Sequence, residues 1–171
     1  GASEIILLGQ NVNGYRGLMS NGKIANFASL IEYISEIEEV KRIRFTTSHP
    51  NEMNDHLIDC FGNIKKLANH LHLPIQSGSD KVLMAMKRNY TTLEYKSIIK
   101  KLRKKLPNVS LTTDLIIGFP TETTNDFNLT KKLFIELDFD YSFSFIYSKR
   151  PGTPAAYLKD ETTNEEKIER L

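Results

Sequence analysis

Polar side chains and glycines recur in five short segments of this chain, each directly after a strand-like run of residues. Their amides, hydroxyls and glycine backbone can hydrogen-bond a polar ligand, and turn chemistry alone does not require the Gln, Asn, His and Arg found there. Enzymes with parallel sheets bind ligands at the carboxyl ends of the strands. A binding site is therefore predicted from the segments Gly9–Asn13, Thr46–Pro50, Pro74–Ser79, Gly118–Glu122 and Ser148–Gly152.

The residues before and between these segments predict alternating strands and helices. The predicted strands are Glu4–Leu8, Arg42–Thr46, His70–Leu73, Ser110–Ile117 and Tyr141–Tyr147. Apolar stripes with helical spacing lie between them, and Asn26, Asn54 and Thr91 are the expected N-terminal caps. Strands and helices in alternation imply right-handed βαβ units and a parallel sheet.

The spacing of the strands indicates a fold class. It is close to the roughly 31 residues per unit of a (β/α)₈ barrel of about 250 residues. About five βα units cannot close such a barrel. The expected fold is therefore α/β, a partial (β/α)₆ TIM-like barrel of which about five βα units are present, and a complete doubly wound sheet is the alternative.

Each predicted strand has one polar and one apolar face. His70 and His72 oppose Leu71 in the third strand, and Ser142 opposes Phe143 in the fifth. A closed barrel fills its interior with Val, Ile and Leu. We therefore expect an open, curved sheet whose apolar faces lie under helices and whose polar faces line a hydrated concavity.

Composition excludes several classes of protein. The 171 residues are 40% hydrophobic and 26% charged, as in soluble globular domains, and no apolar run is long enough to cross a membrane. A formal net charge of +2 is too small to indicate nucleic-acid binding. The single cysteine, Cys60, and the absence of an export signal predict a cytoplasmic location, with Cys60 as a small buried apolar residue.

Five motifs in a fixed order resemble one family. They are Leu8–Asn13, Arg42–Pro50, His72–Asp80, Gly118–Thr123 and Arg150–Ala155. Together they resemble the radical-SAM methylthiotransferases over essentially the whole chain. Sister enzymes that act on a ribosomal protein or on threonylcarbamoyl-adenosine share some of these segments, but Gly9–Asn13 and Thr46–Pro50 resemble the branch that modifies isopentenyl-adenosine in tRNA.

The resemblance implies a reaction, cofactors and partners. The implied enzyme is a transferase that adds a methylthio group to C2 of isopentenyl-adenosine next to the anticodon. S-adenosylmethionine (SAM) would be cleaved to a 5′-deoxyadenosyl radical by a [4Fe-4S] cluster on a Cys-x₃-Cys-x₂-Cys loop, and a second [4Fe-4S] cluster would serve sulfur donation. The expected partners are tRNA and an electron-supplying reductant, without a membrane, and the full-length enzyme is expected to be a monomer.

The chain departs from the family in two respects. With Cys60 alone it lacks the three thiolates of such a cluster, so we expect residues 1–171 to be an inactive core of the radical-SAM domain. The first strand with its cluster loop, the N-terminal methylthiotransferase domain and the C-terminal TRAM domain would be absent, and the bare first strand would promote self-association. Thr121 stands where the family usually has glycine, which argues against a glycine-only backbone conformation there.

The resemblance assigns site residues mainly to strand ends. The predicted cofactor-binding residues are Gly9, Gln10, Asn11, Gln76, Ser77, Ser79, Arg88, Asp114 and Gly118. The predicted substrate-binding residues are Arg44, Thr46, Ser48, His49 and Arg150, and no catalytic or metal-binding residue is assigned. Ser77 or Ser79 could equally cap a short helix over Asp80–Met86, and Arg88 could equally be a surface residue.

Two alternatives remain at this stage. His70 and His72 form a His-x-His pair, which His49 and Asp114 could complete into the metal site of a TIM-barrel hydrolase. That interpretation leaves the other motifs unexplained, and hydrogen-bonding histidines are favoured over ligands. The second alternative is a non-catalytic scaffold fragment.

Overall fold

The computed structural model describes residues 1–46 and 48–171, so Thr47 of the second motif lies outside the described residues. The strands are β1 (Glu4–Leu7), β2 (Arg16–Leu18), β3 (Ile24–Asn26), β4 (Arg42–Phe45), β5 (His70–His72), β6 (Ser110–Ile117) and β7 (Tyr141–Ile146). The α-helices are α1 (Phe27–Glu36), α2 (Asp55–Asn63), α3 (Asp80–Ala85), α4 (Thr92–Lys105), α5 (Thr124–Glu136) and α6 (Asn164–Arg170). All the strands predicted from the sequence are confirmed.

Three predicted helix caps are confirmed as well. The side chain of Asn26 accepts a hydrogen bond from Ser29 N–H, and that of Asn54 accepts one from Leu57 N–H. Thr91 N–H donates to the Glu94 carboxylate at 2.7 Å while Glu94 N–H donates to the Thr91 hydroxyl at 3.2 Å. These side chains satisfy amides that the first helical turn cannot pair.

The chain divides into two compact units. The first comprises Gly1–Pro74 and Ser97–Thr112, and the second comprises Ile75–Lys96 and Thr113–Leu171.

Parallel strand pairs organise the first unit. β1 pairs with β4 from Glu4↔Arg42 to Leu7↔Phe45, and β5 pairs with β6 from His70↔Ser110. The helices α1 and α2 bury their apolar faces, and the Phe27 ring packs edge-on against Phe45 with 5.0 Å between centroids. Cys60 is 2% exposed, as predicted, and burial raises the pKa of its thiol to about 11.

The second unit packs helix α5 against the buried face of β6. Alternate residues of β6 are buried, among them Thr113, whose hydroxyl accepts a hydrogen bond from Ile75 N–H at 2.9 Å. Gly78 lies so close to α5 that a Cβ there would be 2.5 Å from the Thr130 Cα. Only glycine permits that approach, which brings the segment after β5 onto α5.

Two elements escape prediction from the sequence. The hairpin β2–β3 turns between Met19 and Lys23, where Gly22 has a φ of +78°. Its strands are three residues each, too short for an alternating pattern to stand out. Helix α6 has the sequence of a charged tail, and Ile168 and most of its other residues are exposed.

The predicted orientation of β7 is wrong. Ser142 and Ser144 are the half-buried residues, and they lie beside Phe127 and Phe134 of α5. The aromatic face, with Phe145 55% exposed, lies on the opposite side. These serines and rings line one cavity of about 230 Å³, so the polar residues of this strand face the helix.

The α/β fold class predicted from the sequence holds. Within the part of the chain that the structure describes, the strands form two two-stranded sheets and the three-stranded sheet β5-β6-β7, and no closed barrel. None of the described helices is long and apolar enough to cross a membrane.

Candidate functional site

An open cavity of about 750 Å³ lies in the second unit. That volume is within the range of small-molecule and cofactor sites. Four of the predicted site residues line it, namely Gln76, Arg88, Asp114 and Arg150. The remaining lining residues are mostly apolar or aromatic, including Ile116, Phe119, Phe145 and Tyr147.

Gln76 is held at the cavity by a strained backbone. Its φ is +72°, in the left-handed region that non-glycine residues adopt at a cost of about 1–3 kcal/mol. Its N–H donates to Asp114 O and its carbonyl accepts from Ile116 N–H, both at 2.9 Å. The neighbouring Ile75 carbonyl accepts a 3.2 Å hydrogen bond from the Tyr90 hydroxyl. These bonds fix the conformation of Gln76, and strain of this kind is typical of functional sites.

Arg88 lines the cavity and has one buried, unsatisfied donor. The residue follows helix α3, and its N–H donates to Leu83 O at 2.9 Å. Its Nε is buried and has no hydrogen-bond partner among the described residues. A buried guanidinium N–H without an acceptor is costly. The guanidinium group of a residue that lines the cavity can pair with a ligand carboxylate.

Strands β6 and β7 supply the far wall of the cavity. Asp114 and Ile116 come from β6, and Phe145 comes from β7. Tyr147 follows β7 and packs edge-on against Phe119, with 5.0 Å between ring centroids. The wall therefore combines one carboxylate with aromatic surface, which suits a ligand that has both a cationic group and a ring.

Ser77 and Ser79 are buried, and their hydroxyl groups form hydrogen bonds within the protein. Ser77 is 0% exposed and its hydroxyl accepts from Ser79 N–H at 3.2 Å. Ser79 donates to the Asp126 carboxylate at 2.7 Å and caps helix α3. Neither serine lines the cavity, so their structural role, which the sequence also allowed, is the one that the hydrogen bonds favour.

Asp126 organises the loop beneath these serines. It accepts hydrogen bonds from Ser79, from Lys81 at 3.1 Å and from the hydroxyl and N–H of Thr123. Burial opposes its ionisation, but these hydrogen bonds outweigh burial and lower the pKa of Asp126 to about 2. The sequence does not reveal this residue, because its pattern is that of an ordinary helix-start carboxylate.

Gly118, at the end of β6, lies in a buried polar cluster. Its φ is +66° and its N–H donates to the Glu122 carboxylate at 2.8 Å. Arg170 of α6 donates to the same oxygen at 3.0 Å. Burial raises the pKa of Glu122, against the opposing effect of these hydrogen bonds. Thr121 has a φ of +87°, so the prediction that this position avoids a glycine-type conformation is wrong.

The first unit holds the other predicted residues. Gly9, Gln10 and Asn11 form an exposed loop after β1. Asn13, which the sequence does not single out, is 1% exposed and exchanges two hydrogen bonds with the backbone of His49, at 2.8 and 2.9 Å. Asn13 thereby joins the first two motifs of the chain.

The predicted substrate-binding residues of the first unit differ in exposure. Arg44 forms a half-exposed ion pair with Glu4 at 3.7 Å. Thr46 N–H donates to Leu7 O at 3.4 Å. Ser48 is 6% exposed, and within residues 1–46 and 48–171 its hydroxyl has no hydrogen-bond partner. The functional roles of these residues stay predictions.

His70 and His72 share a hydroxyl group. His70 Nε2 and His72 Nδ1 lie 3.1 and 2.9 Å from the Thr112 hydroxyl oxygen. His49 Nδ1 accepts a hydrogen bond from Asn51 N–H. In the described part of the chain, no group of three potential metal ligands includes any of these histidines. The structure thus favours hydrogen-bonding histidines over the hydrolase-type metal site.

A comparison with protein families identifies the fold family. The radical SAM superfamily matches residues 1–134. The chain belongs to the radical SAM superfamily. This membership confirms the radical SAM part of the resemblance drawn from the motifs.

Several curated proteins similar to this radical SAM chain share one name. The chain is 63% identical over 171 residues to the tRNA-2-methylthio-N(6)-dimethylallyladenosine synthase of Chromobacterium violaceum, covering 100% of this chain and 38% of that protein. The synthases of that name from Methylobacillus flagellatus and Coxiella burnetii are 61% and 59% identical, again over the whole chain and 39% of each protein. The chain thus spans about two fifths of the length of these relatives.

A solved structure shares the fold. Coproporphyrinogen III oxidase from Escherichia coli, described as a radical SAM enzyme, superimposes with a TM-score of 0.64 at 20% identity. The match covers 84% of this chain and 35% of that protein. The likeness concerns the fold alone.

Proposed function

We propose that this chain is the SAM- and substrate-binding core of a radical-SAM tRNA methylthiotransferase. The observation that carries the proposal is the cavity of the second unit, into which Arg88 and Asp114 bring opposite charges. An amino acid carries a carboxylate and an ammonium group on one carbon, and these two side chains complement that pair. The methionine end of SAM is such a group.

The rest of the cavity suits the nucleoside end of the same molecule. Phe145, Phe119 and Ile116 offer apolar and aromatic surface to an adenine ring. Gln76 adds an amide that can donate and accept hydrogen bonds. When bound, SAM would supply radical chemistry after reduction by an iron–sulfur cluster. The residues of this chain would bind and orient it.

The reaction we propose is the addition of a methylthio group to C2 of isopentenyl-adenosine beside the anticodon of tRNA. Its support is the name shared by the relatives at 58–63% identity. Arg150 is exposed where it lines the cavity, and Arg44 is half-exposed in the first unit. Both are proposed to contact tRNA phosphates, which guanidinium groups bind through paired hydrogen bonds.

The remaining parts of the enzyme are proposed to lie outside this segment. With one cysteine, which is buried, the chain cannot supply three thiolates for a cluster. We therefore assign both [4Fe-4S] clusters to sequence that accompanies residues 1–171 in the whole protein, together with flanking methylthiotransferase and TRAM domains. A cytoplasmic monomer that receives electrons from a reductant is the proposed state of that protein, and self-association through β1 is proposed for the chain alone.

Calorimetric titration of the 171-residue chain with SAM tests the cofactor site. We expect binding that falls at least tenfold in Arg88→Met, which keeps the aliphatic length and removes the guanidinium. Arg42→Met is the matched control, because Arg42 is exposed on β4 in the first unit. Equal affinities for the two variants, or no binding by the unsubstituted chain, would overturn the cofactor assignment.

A chimera tests the reaction. Residues 1–171 would replace the matching segment of the Chromobacterium violaceum synthase, and nucleosides from tRNA would be analysed by mass spectrometry. We expect the methylthio nucleoside from the chimera and only its isopentenyl precursor from the Arg88→Met chimera. A folded chimera that contains its clusters and yields no methylthio product would refute the proposed reaction while leaving SAM binding to stand on the titration.

A further inference from the structure

Three side chains of metal-ligand type meet between helices α1 and α2 of the first unit. They are Glu32, His56 and Cys60, and their ligand atoms all lie within 4.8 Å of one another. No other group of three or more such side chains occurs in residues 1–46 and 48–171. The proposed SAM-binding and tRNA modification use none of the three.

Ordinary helical spacing and helix packing bring these side chains together. His56 and Cys60 are four residues apart on α2, so they lie on the same face, one turn from each other. Glu32 projects from α1, and its Oε1 lies 2.8 Å from His56 Nε2. The helical spacing on α2 and the packing of α1 against α2 together create the cluster.

Burial differs sharply across the cluster. Cys60 is 2% exposed, whereas the side chains of Glu32 and His56 are 48% and 42% exposed. The sulfur therefore forms a closed floor, and the imidazole and carboxylate form a rim open to water. An ion could enter from solvent, and its outward side would keep a position for a water molecule.

We propose that Glu32, His56 and Cys60 bind a zinc-type divalent transition-metal ion, with water as the fourth ligand. Cysteine sulfur, histidine nitrogen and carboxylate oxygen are all ligands of Zn²⁺, whereas Mg²⁺ and Ca²⁺ prefer oxygen ligands. Tetrahedral Zn²⁺ with bonds of about 2.0–2.3 Å places its ligand atoms about 3.3–3.6 Å apart. The exposed Glu32 and His56 side chains can close the remaining distance by rotation, since neither is held by core packing.

The protons of this binding step balance simply. Cys60 loses its thiol proton to solvent and binds as the thiolate. Glu32 binds as the carboxylate. His56 binds through Nε2 as a neutral imidazole, so its ring proton moves to Nδ1.

A single conservative substitution at Asn26 should strengthen the proposed metal binding. Its side-chain oxygen caps α1 through Ser29 N–H at 3.0 Å, which leaves its amide nitrogen 3.5 Å from His56 Nδ1. With the metal on Nε2, a protonated Nδ1 would face an NH₂ group that cannot accept its hydrogen bond. Asn26→Asp keeps an equally good cap and supplies an acceptor, as carboxylates do for many metal-bound histidines.

Cobalt(II) titration of the EDTA-treated 171-residue chain provides the test. Because Cys60 is the only cysteine in the sequence, any thiolate-to-cobalt charge-transfer band in the near ultraviolet reports on this residue. We expect such a band, its loss on addition of equimolar Zn²⁺, and a rise in Tm with Zn²⁺. Affinity should fall at least tenfold in His56→Gln and Glu32→Gln, and rise several-fold in Asn26→Asp.

The control is Asp55→Asn, which removes a carboxylate of the same helix that pairs with Lys101 and is outside the cluster. It should bind cobalt like the unsubstituted chain. Since Glu32 and His56 are exposed, their variants are expected to fold, and circular dichroism would verify this. Absence of the charge-transfer band, or equal affinities for His56→Gln, Glu32→Gln and Asp55→Asn, would overturn the proposal.

Discussion

The side chain of Lys167 crosses Gly118 so closely that a Cβ at Gly118 would lie 2.5 Å from the Lys167 Cγ. Lys167 cannot simply move away, because it is 6% exposed and its ammonium group pairs with Asp160 at 2.6 Å. The loop after β6 and helix α6 are therefore packed as one structure in the second unit.

Substitution of Gly118 should disrupt this packing and lower the free energy of unfolding. Gly118→Ala combines a positive φ with the collision against Lys167, and we expect a loss of about 2–3 kcal/mol in the free energy of unfolding. Gly152→Ala is the matched control, since Gly152 has a φ of +79° and a Cβ added there would have no described atom within 4 Å. Urea denaturation of both variants should give a clearly smaller loss for Gly152→Ala. Equal losses would show that backbone strain alone matters.

Thr121 should be improved by glycine. A β-branched residue with a φ of +87° is strained, so Thr121→Gly should raise the free energy of unfolding by about 1 kcal/mol. Lys149→Gly measures the entropic cost of a new glycine in an exposed loop without positive φ. Thermal and urea unfolding should show a higher free energy of unfolding for Thr121→Gly and a lower one for Lys149→Gly. Destabilisation by Thr121→Gly would contradict the argument.

Asp126 should make the protein sensitive to acid. Its folded-state pKa of about 2 is below the unfolded value near 3.9, so the ionised form stabilises the fold by about 2 kcal/mol. That contribution is complete above about pH 5 and is lost as the pH falls toward 2. Unfolding free energies measured between pH 6 and pH 2 should show a shallower decline in Asp126→Asn, and parallel curves would refute the assignment.

Glu122 should give the stability a pH dependence opposite to that caused by Asp126. Burial raises its folded-state pKa above the unfolded value, so its contribution to stability is greatest below the unfolded pKa and falls as the pH rises through the folded pKa. In Glu122→Gln the unfolding free energy should therefore decline less than in the unsubstituted chain as the pH rises from 4 to 7. An unchanged pH dependence would remove Glu122 from the set of perturbed groups.

Two aromatic residues of β7 allow the role of the cavity in SAM binding to be tested separately from the exposed aromatic face of the strand. Phe145 lines the cavity and Phe143 does not, although they are similarly exposed at 55% and 49%. Phe145→Ala should weaken SAM binding about fivefold to tenfold, because a stacking surface of about 1 kcal/mol or more is lost. Phe143→Ala should leave it unchanged. Calorimetry on both variants would decide, and equal affinities would exclude adenine from that wall.

Local patterns are sufficient to predict β1, the strands β4 to β7, the caps of α1, α2 and α4, and the burial of Cys60. They fail for β7, because alternation separates two faces without indicating which one meets a helix. The hydrogen bonds of Asn13 and Asp126 escape prediction for a related reason, since their partners are 36 and 47 residues away in sequence. Arg170 belongs to a stretch with the composition of a charged tail, and its ion pair with the buried Glu122 depends on how α6 packs.

The close contact between Gly78 and Thr130 changes how the Gln76-Ser77-Gly78-Ser79 motif should be used to recognise relatives. Gly78, Ser77 and Ser79 are all required by the helix that lies against them. A protein of this fold that no longer bound any ligand would still need these three residues to fold. Of the four positions of the motif, only position 76 would then be free to change. A search with the whole motif therefore detects the scaffold. If Gln76 binds the cofactor as proposed, the residue at position 76 is the part of the motif that distinguishes a working enzyme from an inactive descendant.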